Sequence, residues 1–152
     1  MKDYSEIKRW LGRLRFQEAR IEAESEQIER LRALTEKVTA SCGAGGGGGS
    51  CQDHRYDLVA QVIDGQRELD DRMRELMRTE KEIRNVIAAV PEERMRVLLE
   101  LRYIAHRSWE RVAAAMGYEE RQVHRIHAEA LRRIAELGLI DEEVSKCHSM
   151  SD

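Results

Sequence analysis

The chain has 152 residues, room for one or two small domains, and 36% of them are charged while only 5% are aromatic. Such a composition, dominated by Glu, Arg, Leu and Ala, favours long helices over sheets. No apolar run approaches the roughly 20 residues that cross a bilayer, and the charged start "MKDYSEIKRW" is unlike a signal peptide. We therefore expect an all-α, cytoplasmic protein with no membrane partner.

The charge is distributed unevenly. The formal net charge is −3, yet between residues 102 and 133 seven arginines stand against four glutamates, a local excess of +3. A basic segment within an acidic chain indicates a polyanionic partner, such as a nucleic acid.

Apolar residues at heptad spacing predict two long helices, over residues 3–38 and 54–89. The first pattern contains Ile7, Trp10, Leu14, Ile21, Ile28, Leu31 and Val38, with polar breaks at Gln17 and Glu24. The second contains Val59, Val62, Leu69, Met73, Leu76, Ile83, Ile87 and Val90, with breaks at Gln66 and Glu80.

The glycine-rich stretch "TASCGAGGGGGSCQ" lies between these two patterns. Because glycine destabilises helix, the stretch predicts a loop over residues 39–53, where the chain turns back. Residues 1–90 are thus expected to form an antiparallel coiled-coil hairpin. Apolar surface left on residues 3–38 and 54–89 would recruit a second chain, so we expect a homo-oligomer, with a dimer favoured.

The three cysteines, Cys42, Cys51 and Cys147, are too few and of the wrong parity for a disulfide framework. A zinc site built from them with His54 and His148 would lack the usual tight spacing. His124 and His127 could share a metal, but a packed histidine and a nucleic-acid contact are the favoured readings. No nucleophile motif or phosphate loop is present. We therefore expect no enzyme, no metal and no cofactor.

The residues after the hairpin predict three short helices, a module over 91–138 and a polar tail over 139–152. Pro91 suits the first turn of a helix that runs to about residue 105. Its expected buried residues are Met95, Leu98, Leu101 and Ile104. Ser108 caps the next helix, which ends at Gly117, and the last helix covers 119–136 before Gly138.

Spacing within this module predicts a helix-turn-helix. Ala113 is small enough for close packing, and Gly117, four residues later, tolerates the positive φ of a tight turn. The expected core comprises Trp109, Val112, Ala113, Met116, Gly117, Val123 and Ile126, with Tyr118 also facing inward. A helical hairpin without any ligand remains an alternative.

The side of the last helix opposite Val123 carries Arg121, Arg125, Ala128 and Arg132, flanked by Gln122 and His124. A major groove about 12 Å wide admits one helix, whose N-terminal residues reach the base edges. Arg121 and Arg125 are therefore expected to bind guanine, while Gln122 and His124 reach adenine edges or phosphates. Arg132 and Arg133 are expected to meet phosphates. Alternatively, this charged face is simply solvated.

The segment "LLELRYIAHRSWERVAAAMGYEERQVHRIHAEALRRI" resembles region 4 of the sigma-70 family, which reads the −35 promoter element. The resemblance rests on "LRY", "SWERVAAAMG" and "IHAEALRRI" and covers residues 95–134. The order of a long coiled region, a flexible middle and this module is similar to prophage-encoded proteins of the ArpU/RinA type, activators of late phage transcription.

The resemblance implies base contacts by Arg121, His124 and Arg125 and a backbone contact by Arg111. Glu119 and Glu120 depart from the family, which has a basic residue at or near Glu120. That departure favours a distinct target sequence over a −35 element. No segment resembles the sigma region that melts DNA, so a complete sigma factor is not expected.

Two functions are consistent with these observations. In the first, the protein is a sequence-specific transcriptional regulator that binds double-stranded DNA, with bacterial RNA polymerase as a further expected partner. In the second, it is a coiled-coil adaptor that binds polymerase or a packaging complex, as a small terminase-like protein would. Salt-dependent DNA binding distinguishes them.

Overall fold

A computed structural model describes residues 3–43 and 49–141, and every regular element within those ranges is helical. The long helices are α1 (Tyr4–Gly43) and α2 (Gly49–Ala88). Three shorter helices follow: α3 (Glu93–Leu99), α4 (Trp109–Met116) and α5 (Glu120–Leu137). A π-helical turn, Glu100–Ile104, continues α3. The all-α prediction is confirmed for the described residues, none of whose helices is long and apolar enough to span a membrane.

The glycine-rich segment is helical at both ends, so the predicted loop over 39–53 was too long. α1 continues to Gly43 and α2 begins at Gly49. Each helical glycine costs only about 1 kcal/mol relative to alanine, so flanking turns tolerate one. A disulfide joins Cys42 to Cys51, whose Cα atoms are 6.3 Å apart, and thereby ties the two helix ends together. Residues 44–48 of the predicted loop lie outside the described residues.

The chain divides into two compact units. Unit 2 comprises residues 17–76. α1 and α2 run antiparallel in it, since a residue later in α1 contacts a residue earlier in α2. Glu24 pairs with Arg72 at 2.6 Å, and Arg32 donates to Gln66 at 3.1 Å. Gly65 allows close approach, since a Cβ there would lie 3.2 Å from Cγ1 of Ile28. Among the residues of this unit that the structure describes, three apolar ones are buried: Ile28, Leu58 and Leu69.

Unit 1 comprises residues 1–16 and 77–152, described here over 3–16 and 77–141. The two units meet between residues 16 and 17 and between residues 76 and 77, not at the predicted boundary at residue 90. The reason is that the start of α1 and the end of α2 pack into the core of the C-terminal helices. The fully buried side chains of this core include Ile7, Leu11, Leu14, Ile83, Ile87, Leu98, Leu99, Val112, Val123 and Ile134. The predicted tail is described only as far as residue 141.

The helix predicted over 91–105 differs in two respects. Pro91 precedes the N-cap residue Glu92 instead of lying in the first turn. The amide of Ala105 donates to the carbonyl of Glu100 at 2.9 Å, a five-residue hydrogen bond that widens the helix. This widening changes which side chains face inward. Leu99 and Tyr103 are buried, while Leu101 and Ile104, predicted to be buried, are only half-buried.

Candidate nucleic-acid interface

α4 and α5 are joined by a tight turn whose geometry depends on a few residues. The Ser108 hydroxyl accepts a hydrogen bond from the Arg111 amide at 3.3 Å and caps α4, as predicted. Gly117 ends α4 with φ of +71°, the left-handed conformation that glycine adopts without steric cost. The Tyr118 amide then donates to the Ala113 carbonyl at 3.1 Å. This turn sets where α5 begins.

The packing between α4 and α5 uses most of the predicted core. Val112, Ala113, Val123 and Ile126 are buried. Trp109 and Met116 are half-buried, Gly117 is exposed at the turn, and Tyr118, predicted to face inward, is 39% exposed. The left-handed turn directs Tyr118 away from the core before α5 begins. Inward-facing residues continue along α5 with His127, Ala130, Leu131 and Ile134, so one full side of this helix is buried.

The opposite side of α5 carries the predicted contact residues, and all are exposed: Arg121, Gln122, His124, Arg125, Ala128 and Arg132. Arg111 on α4 is exposed as well. Among the ion pairs of the described residues, none involves Arg111, Arg121 or Arg125. Ala128 is a low point between the arginines, since it has no side chain beyond Cβ. Two guanidinium groups near the start of α5 are thus exposed and outside the ion pairs of the described residues.

Glu119 and Glu120, the departures from the sigma pattern, have roles at the helix N-terminus. Glu119 is the N-cap residue of α5, and Glu120 lies in its first turn. Carboxylates are favoured there because the helix dipole places partial positive charge at this end. Glu120 also lies 3.7 Å from Nε2 of His124. These acids stabilise the helix end, whatever they contribute to binding.

Gln122 has a structural task that its predicted contact role did not include. Its Oε1 accepts a hydrogen bond from the Glu119 backbone amide at 3.2 Å, the reciprocal half of a capping box. Reaching a base edge would require this hydrogen bond to break. In this structure the Gln122 side chain therefore caps the helix.

Trp109 connects α4 to α5 and to the π-helical turn. The Arg102 guanidinium lies over its ring at 4.4 Å, a cation–π contact. The rings of His124 and His127 lie 4.6 and 4.7 Å from the Trp109 ring. His124 is thus positioned by Trp109 at the edge of the exposed arginines, while its side chain keeps 50% of its accessible surface.

His127 and Tyr103 form a buried polar pair that periodicity did not predict. The Tyr103 hydroxyl shares a hydrogen bond with His127 Nε2 at 2.7 Å. Burial lowers the pKa of His127 to about 4, assisted by the positive charges of Lys8, Arg102 and His124. Burial also raises the pKa of Tyr103 to about 12. Both groups are therefore neutral at pH 7, and the favoured interpretation of a packed histidine describes His127.

The two arginines predicted to meet phosphates differ in their surroundings. Arg132 is exposed, and its Nε donates to the Tyr4 hydroxyl at 3.3 Å, which raises the pKa of the guanidinium. Arg133 is half-buried and pairs with Glu92 at 3.1 Å and Glu136 at 3.6 Å. Two carboxylates neutralise Arg133, so it is poorly placed for a phosphate. Arg132 remains on the same side as Arg121 and Arg125.

No group of three or more metal-ligating side chains occurs within residues 3–43 and 49–141. His124 and His127, considered as shared ligands, point to different surroundings. The Nε2 of His127 is engaged by Tyr103. The Cys42–Cys51 disulfide likewise removes two of the three sulfurs of the zinc alternative, and the third, that of Cys147, lies outside the described residues.

These elements define an all-α protein in which a short helix, a glycine turn and a longer arginine-bearing helix complete a common core with the ends of two long helices. The chain belongs to the family described as "Protein of unknown function (DUF1492)", which matches residues 34–137. The match includes all of α2 through α5. No curated protein and no solved structure matches the chain.

Proposed function

We propose that this protein is a sequence-specific DNA-binding transcriptional regulator in which α4 and α5 form a helix-turn-helix. The observation that carries the proposal is the pair Arg121 and Arg125, exposed opposite the buried side of α5 and outside every ion pair of the described residues. Arg133, half-buried on the same helix, is by contrast held by Glu92 and Glu136. Arginines left open beside a small residue suit a helix that approaches DNA.

The position of these arginines fits the geometry of groove recognition. Recognition helices contact base edges with their N-terminal residues, and Arg121 and Arg125 lie in the first two turns of α5. They are about 6 Å apart along the axis, on one side of the helix. A guanidinium donates two parallel hydrogen bonds to O6 and N7 of guanine. Each arginine is therefore assigned to a base, and Arg132, further along, to a phosphate.

His124 and Gln122 supply the flanks of the interface. His124 rests on Trp109, so its ring has a fixed direction at the groove edge. Gln122 contributes by holding the helix start through its bond to the Glu119 amide. Glu120 accepts from a cytosine amino group in this arrangement. Arg111 approaches the phosphate backbone from α4.

The biological role proposed is activation of late genes of a phage or prophage. It rests on the resemblance of residues 95–134 to sigma region 4 and of the overall order to the ArpU/RinA type. In this proposal the long helices of α1 and α2 join two copies, so that two reading helices address two half-sites. RNA polymerase is the further partner that activation requires.

The alternative is a protein-binding adaptor, favoured by the exposed apolar side chains of α2, among them Tyr56, Ile63 and Met73. Such an adaptor would be a coiled-coil protein whose helix-turn-helix binds protein, either polymerase or a packaging complex, and not DNA. DNA binding separates the two functions, since an adaptor needs none.

The test is a selection of bound duplexes from a random-sequence DNA library, followed by fluorescence anisotropy on the selected site over a salt series. Affinity should fall steeply with salt, because each neutralised phosphate contributes a slope of about −0.9 in log K against log salt. Arg125→Ala should cost about 1–3 kcal/mol on the selected site and little on random DNA. Arg30→Ala, an exposed arginine of unit 2, is the control.

Absence of any DNA binding at low salt would overturn the proposal. An equal loss on selected and random DNA would reassign Arg125 to a phosphate contact and leave base reading to Arg121.

A further inference from the structure

One side of α2 within unit 2 carries large apolar side chains that stay largely exposed among the described residues. Tyr56, Val59, Ile63 and Met73 are 59%, 38%, 48% and 48% exposed. Together with Gln66 and Asp70 they follow one another at alternating spacings of three and four residues, the repeat of a coiled-coil seam. We call these six residues the α2 stripe. The stripe spans about 100° of the helix, beside the side that Leu58 and Leu69 bury against α1.

We propose that the α2 stripe is the surface through which two copies of this chain associate, with their α2 helices antiparallel and the two-fold axis at the level of residue 68. The α2 stripe would be the dimer interface of the proposed function. The proposal rests on that function only for the expectation that the protein is a dimer. Its test uses no DNA, so its failure and the failure of DNA reading are separate results.

The order of apolar and polar residues in the stripe argues for a second copy as the occupant. An antiparallel pair centred on residue 68 places Ile63 opposite Met73, because both lie five residues from the centre. It places Gln66 opposite Asp70, because both lie two residues from the centre. Between residues 63 and 73, the apolar stripe residues then meet apolar ones and the polar stripe residues meet polar ones. A surface complementary to itself in this way is what a two-fold dimer requires.

Other arrangements of the same two helices are electrostatically unfavourable. Sliding one helix by a heptad puts Asp70 opposite Val59 in one direction and opposite Met73 in the other, which buries a carboxylate against an apolar side chain. A parallel pair in register puts Asp70 opposite its own counterpart, and like charges in one layer repel. The polar positions therefore select the antiparallel register, as single polar residues do in coiled coils.

The surroundings of Asp70 supply the matching positive charge. Its Oδ1 accepts from Gln66 at 3.1 Å, and Gln66 in turn accepts from Arg32 of α1 at 3.1 Å. Arg67 is exposed beside the stripe. At the proposed register Arg67 lies one residue, about 1.5 Å along the axis, from the level of Asp70 in the second copy. The central layer then contains both a carboxylate and the guanidinium groups that pair with it.

The first test is sedimentation of the full chain at micromolar concentration, without DNA. The unaltered protein should be a dimer, and Ile63→Glu should raise the dissociation constant of the dimer at least about tenfold. The control is Leu34→Glu on α1, since Leu34 is 44% exposed and lies outside the stripe; it should remain dimeric. A monomeric unaltered chain, or a dimer that Ile63→Glu leaves intact, overturns the proposal.

The second test measures the register and holds even where Ile63→Glu perturbs folding. Ile63→Cys and Met73→Cys are made separately in a chain whose native cysteines are replaced by serine. Mixing the two variants under oxidation should give a cross-linked dimer, while each variant alone should not. Cross-linking of Ile63→Cys with itself indicates a parallel pair and overturns the antiparallel seam. Failure of the mixture to cross-link overturns it as well.

Discussion

The two units of the chain differ in how completely they bury their apolar side chains. Of the 22 buried hydrophobic residues within 3–43 and 49–141, three lie in unit 2, residues 17–76, and the other 19 lie in unit 1. Unit 2 nevertheless exposes several large apolar side chains: Leu34, Tyr56, Val59, Ile63 and Met73. Two helices have one mutual seam, whereas five helical segments enclose a core. A two-helix unit thus leaves more of its apolar side chains exposed.

A leucine-to-alanine comparison should show the difference most strongly. Leu98 is fully buried in unit 1 and Leu58 is 3% exposed in unit 2, so the two side chains are matched in burial. Leu98→Ala should cost about 4–5 kcal/mol of unfolding free energy, and Leu58→Ala about 2–3 kcal/mol, because a two-helix layer can collapse onto the gap. Urea denaturation of both variants measures this. Equal losses would break the comparison.

Acid should weaken unit 1 through His127. Its pKa is lowered from 6.5 to about 4 in the folded chain. Between pH 6.5 and pH 4 the unfolded state therefore binds a proton that the folded state does not bind. Neutral His127 therefore contributes on the order of 3 kcal/mol to the free energy of unfolding. This contribution is fully present above about pH 6.5 and is lost as the pH falls towards 4.

Unfolding free energies measured from pH 7 to pH 4 test this expectation. His127→Gln should flatten the decline, and His54→Gln, on the exposed surface of unit 2, should leave it unchanged. A decline of the same depth in His127→Gln would assign the acid sensitivity to other groups.

The smallest expected effects come from two glycines of unit 1. Gly117→Ala should lose about 1–2 kcal/mol, because a Cβ at φ of +71° is strained although space is free. Gly12→Ala, inside α1 with nothing within 4 Å of an added Cβ, should gain up to about 1 kcal/mol. Thermal unfolding of the two variants should therefore shift in opposite directions. A loss of stability in Gly12→Ala would contradict this expectation, because it would mean that the added Cβ meets a neighbouring atom.

The sequence predicted most successfully where a single residue type determines local structure. Ser108 caps α4 and Gly117 adopts positive φ, as their chemistry requires. The buried side of α5 also follows the 3.6-residue period. The assignment of Arg121 and Arg125 to DNA stays a prediction, although both are exposed as the pattern indicated.

Features that depend on tertiary packing were not predictable in the same way. The π-helical turn adds a residue to one turn, so the periodicity that indicated Leu101 and Ile104 failed and Tyr103 was missed. The partnership of Tyr103 with His127 joins residues 24 positions apart. Only the "LRY" of the sigma resemblance included Tyr103. The capping role of Gln122 could have been found, because a Gln three residues after an N-cap is a recognised pattern.

The Cys42–Cys51 disulfide makes residues 42–51 a covalent ring. Cleavage of one peptide bond within that ring would leave α1 and α2 joined through sulfur. On a denaturing gel the cut chain would migrate as a single species until a reductant is added, and then as two fragments of unequal size. The helices of unit 2 thus have a covalent connection that does not depend on the continuity of the glycine-rich backbone.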